Sequence, residues 1–225
     1  MKLVCFVKVY NEENTLREFI KENSFVDEFA FVDFNSTDKT VDVINEFPNT
    51  HVIQGKCIND SFVDYNAGLA VNEALAFAKT LNPDWLLYLD AYEIFEDKAK
   101  TEFRKLLEDK DADCFGFRLY TFWNGRTHYR IDHAWGNFPV NYLPKLFRNE
   151  PQMFFTDRKV APGFIQGYKN FKESNLRIKH YSVENMDLAR KKYLRYTKFN
   201  PGKDYSHVIS EDGMILKQWS EYGQN

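Results

Sequence analysis

Polar residues stand at the ends of three apolar runs within the first ninety positions. Leu3–Val7 lies in a run that stops at Tyr10-Asn11-Glu12-Glu13, Phe29–Phe34 carries Asp33 near its end, and Trp85–Leu89 breaks off at Asp90. A phenol, an amide and carboxylates so placed suit a polar ligand: carboxylates accept N–H and O–H donors and hold hard cations, and a ring face stacks on a flat group. Further on, Lys191, Arg195 and Lys198 recur at i, i+4 and i+7, one basic helix face. Cationic side chains of this kind grip phosphate.

The charge distribution repeats this division. Residues 1–116 carry 12 Lys+Arg against 23 Asp+Glu, and residues 117–203 carry 17 against 6. An acidic front and a basic rear place a cation site beside an anion site, or simply two solvated faces. Nucleic acid is a poorer partner, because the basic residues are scattered among aromatics and no zinc-finger or RNA-recognition signature occurs. Among 225 residues, 44% are apolar and 17% aromatic, enough for a sizeable core and for rings lining a groove. The longest apolar stretches, Leu3–Val7 and Trp85–Leu89, fall far short of the ~20 residues of a spanning helix, so no transmembrane segment or signal peptide is expected. Cys5, Cys57 and Cys114 lack CxxC spacing, which predicts reduced thiols and a cytoplasmic setting. His128 and His133 flank Asp132 at no recognised metal spacing.

The elements that position these groups follow from hydrophobic period. Residues 2–9, 29–34, 51–54 and 85–89 read as strands. Leu16, Phe19 and Ile20 predict a helix after the first, and Asn35 and Asp38 predict a capped helix after the second. A longer helix is expected from Ser61 to Thr80, with Ala67, Ala70, Val71, Ala74, Leu75 and Ala78 on one face, and another over 96–108. Four strand–helix alternations define an α/β domain with a mostly parallel sheet, whose ligands bind beyond the carboxyl ends of the strands. After Ala112 a strand is expected over Cys114–Phe122, then an aromatic-rich irregular stretch, then a helix over 185–199. No linker or repeat divides the chain, which reads as one domain, 1–225, with halves at 1–112 and 113–225.

Four segments in this order resemble the inverting family 2 glycosyltransferases of the GT-A fold. They are Val9-Tyr10-Asn11-Glu12-Glu13; Val32-Asp33-Phe34-Asn35-Ser36-Thr37-Asp38-Lys39-Thr40, the most specific; Asp64-Tyr65-Asn66-Ala67-Gly68-Leu69 with Asp84-Trp85-Leu86-Leu87-Tyr88-Leu89-Asp90-Ala91-Tyr92-Glu93; and the scattered Lys145-Leu146-Phe147-Arg148-Asn149, Ile178-Lys179-His180-Tyr181 and Lys192-Tyr193-Leu194-Arg195-Tyr196. The resemblance implies a Rossmann-like sheet with helices on both faces, a nucleoside-diphosphate sugar donor with UDP favoured, and a glycan hydroxyl as acceptor. It implies a hexosyl- or deoxyhexosyltransferase. Tyr10 would stack on the base, Asp33 would accept a base N–H, and Asn11, Glu12 and Asn66 would hold the turn or the donor. Lys192 and Arg195 would clamp the diphosphate.

Asp90 opens the family's D-x-D element, which normally holds Mn²⁺ or Mg²⁺ on the diphosphate. Here Tyr92 stands in place of the second acid. Either Asp90, Glu93 and His180 assemble a metal site, or cationic side chains replace the ion. The glutamate that serves many relatives as base is also missing, with Ala161-Pro162 in its place. Asp157 is the favoured base and Asp132 the other candidate. Tyr120, Phe122, Trp123, Tyr129, His133 and Trp135 would stack on an acceptor sugar or fill the core. The rival readings are a catalytically impaired binding module of the same fold and a nucleotidyltransferase. The second lacks its glycine-rich loop, since Val7–Thr15 contains no glycine.

Overall fold

The computed structural model describes residues 1–56, 66–132, 141–157, 163–199 and 201–221. Its first strand, β1 (Leu3–Val9), is apolar on both sides because it is buried on both sides. Parallel neighbours flank it, β2 (Glu28–Asp33) and β4 (Trp85–Tyr88), and β3 (Thr50–Gln54) extends the sheet beyond β2. Beyond β4 the second half of the chain continues the same sheet. β8 (Tyr142–Arg148) runs antiparallel between β4 and β6 (Cys114–Thr121), β11 (Phe171–His180) pairs parallel with β6, and β5 (Glu93–Phe95) closes the edge antiparallel. The order is β3-β2-β1-β4-β8-β6-β11-β5, an eight-stranded, mostly parallel sheet.

Alternate residues of each strand feed opposite cores. Leu3, Cys5, Val7 and Val9 meet α1 (Leu16–Glu22), α2 (Thr40–Ile44) and α4 (Ala99–Leu107) on one face. Val4 and Phe6 meet α3 (Ala67–Lys79) on the other, where Ala67, Ala70, Ala74 and Ala78 are fully buried and let the helix lie close to the strands. A smaller aromatic cluster joins Tyr120, Phe122, Tyr129 and Tyr181, with Trp219 against it. Cys5 and Cys114 are buried free thiols. No described helix is long and apolar enough to cross a membrane.

Two boundaries differ from expectation. The helix after β2 begins at Thr40 rather than at an Asn35 cap: Asn35 takes a left-handed φ of 60° and its amide oxygen receives Gln54 Nε2. Asp38 turns the chain instead, receiving the backbone N–H of Thr40 at 3.0 Å and of Glu13 at 3.2 Å. α3 begins at Ala67, where the Asn66 side chain caps Leu69 N–H at 3.1 Å, and the expected start at Ser61 lies outside the described residues.

Candidate active site

Because β1, β2, β4, β6 and β11 run in one direction, their carboxyl ends share one edge of the sheet. That edge gathers Tyr10–Glu12, Asp33, Asp90, Thr121 and His180. The two turns after β1 and β2 are laced together. Asn11, at φ 55°, donates its N–H to Ser36 Oγ and receives Thr37 N–H at 2.7 Å; Glu12 N–H reaches Thr40 Oγ1. Asn11 therefore holds the turn. Tyr10 stands beside it with 38% of its surface exposed, at the rim rather than in the core.

Asp33 is 3% exposed. Its Oδ2 receives Ser36 N–H at 3.1 Å, while Oδ1 is buried with no hydrogen-bond partner among the described residues. A buried lone acceptor costs about 1–3 kcal/mol, which a donor N–H from a ligand would recover. A planar heterocycle seated on Tyr10 would bring one.

Asp90 is the centre of the polar cluster. Its Oδ1 receives Lys8 Nζ at 2.6 Å and the Tyr88 hydroxyl at 2.9 Å, and Oδ2 receives the Tyr92 hydroxyl at 3.3 Å. Burial works to raise this carboxyl, but Lys8 and Lys145 outweigh it and hold Asp90 well below the usual carboxylate range. Glu93 is buried beside it. Both of its oxygens bind Lys145 Nζ, at 2.9 and 2.6 Å, and Oε2 also receives Asp90 N–H. Burial nonetheless raises the Glu93 carboxyl above its ordinary value.

His180 enters through register, since it lies opposite Glu93 on β5 and Thr121 on β6. Its ring sits edge-on to Tyr92 at 5.2 Å, with Thr121 Oγ1 3.1 Å from Nδ1. Burial, then Lys192, keeps this imidazole well below its usual pKa and hence neutral. Lys192, on α5 (Met186–Phe199), donates to Ser182 Oγ at 2.7 Å and lies over the Tyr92 and Tyr196 rings. Burial lowers it to about 8, against the pull of Asp90. Arg195 lies one turn further on the exposed side and acts electrostatically on both Lys192 and Glu12.

Two of the expected metal ligands are thus committed to lysines and the third is a neutral imidazole beside one. Among the described residues no group of three or more His, Cys, Asp or Glu side chains is arranged for a metal ion. This donor set does not fit a Mn²⁺ or Mg²⁺ ion, which takes several oxygen ligands.

The two candidate bases separate. Asp132 is 9% exposed and is gripped by Arg130 through a pair of 2.9 Å hydrogen bonds, with Ile215 N–H on its outer side. It ties the C-terminal segment to the fold. Asp157 is exposed and receives the Asn66 side-chain amide. It follows β9 (Phe154–Phe155), which is locked to α3 by Asn72 through two 2.8 Å hydrogen bonds with the Phe155 backbone. The Phe155 ring packs on Tyr88, whose hydroxyl is on Asp90, so Asp157 faces the same end of the sheet. Tyr120, Phe122, Trp123 and Tyr129 are buried in aromatic clusters, which assigns them to the core. His133, Trp135, Ala161 and Pro162 lie outside the described residues.

Sequence reasoning passed over Lys8. Its one signal was a lysine inside an otherwise apolar strand, a position that requires a partner when buried. Lys145 carries the same signal within β8.

Sheet order, helix placement and a polar edge at the strand ends define a GT-A fold of the α/β class. S. aureus TarS residues 1–349 superpose with a TM-score of 0.57 at 16% identity, covering 92% of this chain and 68% of that one. The same protein in complex with UDP gives 0.54 at 14% identity, with the same coverage. The chain belongs to glycosyl transferase family 2, whose profile matches residues 5–177. A TPR repeat-containing protein of Synechococcus elongatus is 31% identical over 130 residues, or 58% of this chain and 27% of that relative. This chain therefore matches only about a quarter of that relative's length.

Proposed function

We propose that the protein transfers a sugar from a nucleoside diphosphate, UDP favoured, to a hydroxyl of a glycan, with inversion. The observation that carries the donor reading is the unpartnered, buried Asp33 Oδ1 beside the exposed Tyr10 ring. Uracil offers an N–H for the first and a face for the second. TarS crystallised with UDP and with UDP-GlcNAc supports the same reading. Asp157 is the base. It takes the proton of the acceptor hydroxyl as that oxygen bonds to the anomeric carbon; the bond from that carbon to the diphosphate breaks, and its electron pair leaves with the diphosphate. Such a base contributes ~10²–10⁴-fold. Exposed Phe154 and Phe164 flank it and offer rings to an acceptor sugar.

The first experiment is isothermal titration with UDP, GDP, dTDP and CMP, followed by hydrolysis and transfer assays over a panel of donors. Tight binding of UDP alone is expected. Tyr10→Ala should weaken it about tenfold or more, since base stacking on an aromatic ring is worth ~1–3 kcal/mol. Asp157→Asn should abolish turnover and leave UDP affinity unchanged. UDP binding without hydrolysis or transfer from any donor would instead assign the chain to a binding module of this fold, and no binding of any nucleotide would remove the donor site altogether.

A further inference from the structure

Resting on that donor site, we infer that the protein holds the donor diphosphate with Lys8, Lys192 and Arg195 in place of a divalent ion. Three features of the Asp90 cluster carry this.

First, the carboxylate that would be the ion's first ligand is engaged at both oxygens. Lys8 Nζ and the Tyr88 hydroxyl occupy Oδ1, and the Tyr92 hydroxyl occupies Oδ2. Tyr92 stands where a second acid would complete the pair, and a neutral phenol bound to Asp90 adds no negative charge. Second, Glu93, the next acid in the sequence, is ion-paired with Lys145 at 2.6 Å. A dication entering here would meet three ammonium groups, those of Lys8, Lys145 and Lys192, while the Asp90 and Glu93 carboxylates are already ion-paired. At short range in a partly buried site such repulsion is far stronger than in water. Third, the cations are themselves placed for a diphosphate. Lys8 and Asp90 stay about 15% exposed at the sheet edge. Lys192 projects from α5 over Tyr92, and Arg195 follows on the next turn. An ammonium binds phosphate oxygens as a compact point charge, and arginine binds them two at a time. The positive charge at the leaving group would then be part of the chain.

The test is UDP titration calorimetry in EDTA and in Mn²⁺, with free Mn²⁺ followed by electron paramagnetic resonance. The same UDP affinity is expected in both buffers, with no protein-dependent loss of the free-ion signal. Lys192→Met should weaken UDP about tenfold in EDTA, as expected for one lost charge-assisted contact. Tyr92→Asp should create Mn²⁺ binding that the parent protein lacks. Binding abolished by EDTA and restored by Mn²⁺, with the free-ion signal falling in step with the protein, would overturn this inference and leave the donor site standing. No UDP binding in either buffer would overturn both.

Discussion

Glu12 shows how much one side chain at the strand ends is governed by its neighbours. It is half-buried, and its carboxylate receives the Thr15 hydroxyl at 2.8 Å. Burial raises it from 4.5 to about 7, with Asp90 adding to the rise and Thr15, Lys8 and Arg195 opposing it. The folded state thus binds this proton more tightly than the unfolded chain does. That contribution to stability is complete below about pH 4.5 and is lost as pH rises through about 7. Glu12→Gln keeps an acceptor for Thr15 and removes the charge. Its melting temperature near pH 8 should exceed the parent's by about 2–8 °C, from ~1–2 kcal/mol, and should match it at pH 4. An equal melting temperature at both pH values would mean an ordinary carboxyl. At this scale the sequence was informative about single groups that end strands, such as Asp33 and Asp90. It was silent about their partners, because Lys8 reaches Asp90 across the β1–β4 pairing, 82 residues away in the chain.

The elements contribute through ties that span the sheet. Lys145 on β8 and Glu93 on β5 form a pair that is 7% and 2% exposed, and Lys145 also lies over the Tyr88 ring at 4.6 Å. Lys145→Met leaves a buried carboxylate without its cation and should cost ~3–5 kcal/mol in urea unfolding. Adding Glu93→Gln should return most of that loss; if it does not, the pair is not what holds β5 and β8 together. The first four strands were legible because each is a short apolar run between helix signals. Of the later strands, β6 was legible from its alternation, but its pairings were not: β8 inserts antiparallel between β4 and β6, and β11 joins β6 some sixty residues on, pairings that leave no local trace. The late start of α2 was hidden for another reason. Asp38 looks like the third residue of a capping box but serves two turns at once.

Across the whole molecule the acidic and basic stretches do not form separate bodies, since one sheet runs through both. The last described segment is fastened onto it. β12 (Leu216–Gln218) pairs with β7 (His128–Arg130), Trp219 lies under Arg177 at 4.1 Å and against Tyr120 at 5.2 Å, and Glu221 receives Lys179. Trp219→Ala should cost ~2–4 kcal/mol by loss of this packing, and limited proteolysis should then cut first within residues 201–218. Unchanged cleavage would show that the β12–β7 pairing and the polar ties of Arg130, Asp132, Arg177 and Lys179 hold the segment without Trp219. The two described cysteines lend the sheet a further property. Cys5 sits at the middle of β1 and Cys114 at the start of β6, and burial raises both thiols above their ordinary range. Neither can meet an alkylating reagent until strands part, so each peptide's rate of labelling is a clock for the opening of its own part of the sheet. Read side by side by mass spectrometry, the two clocks tell whether the β1 and β6 regions of the sheet come apart together or in turn.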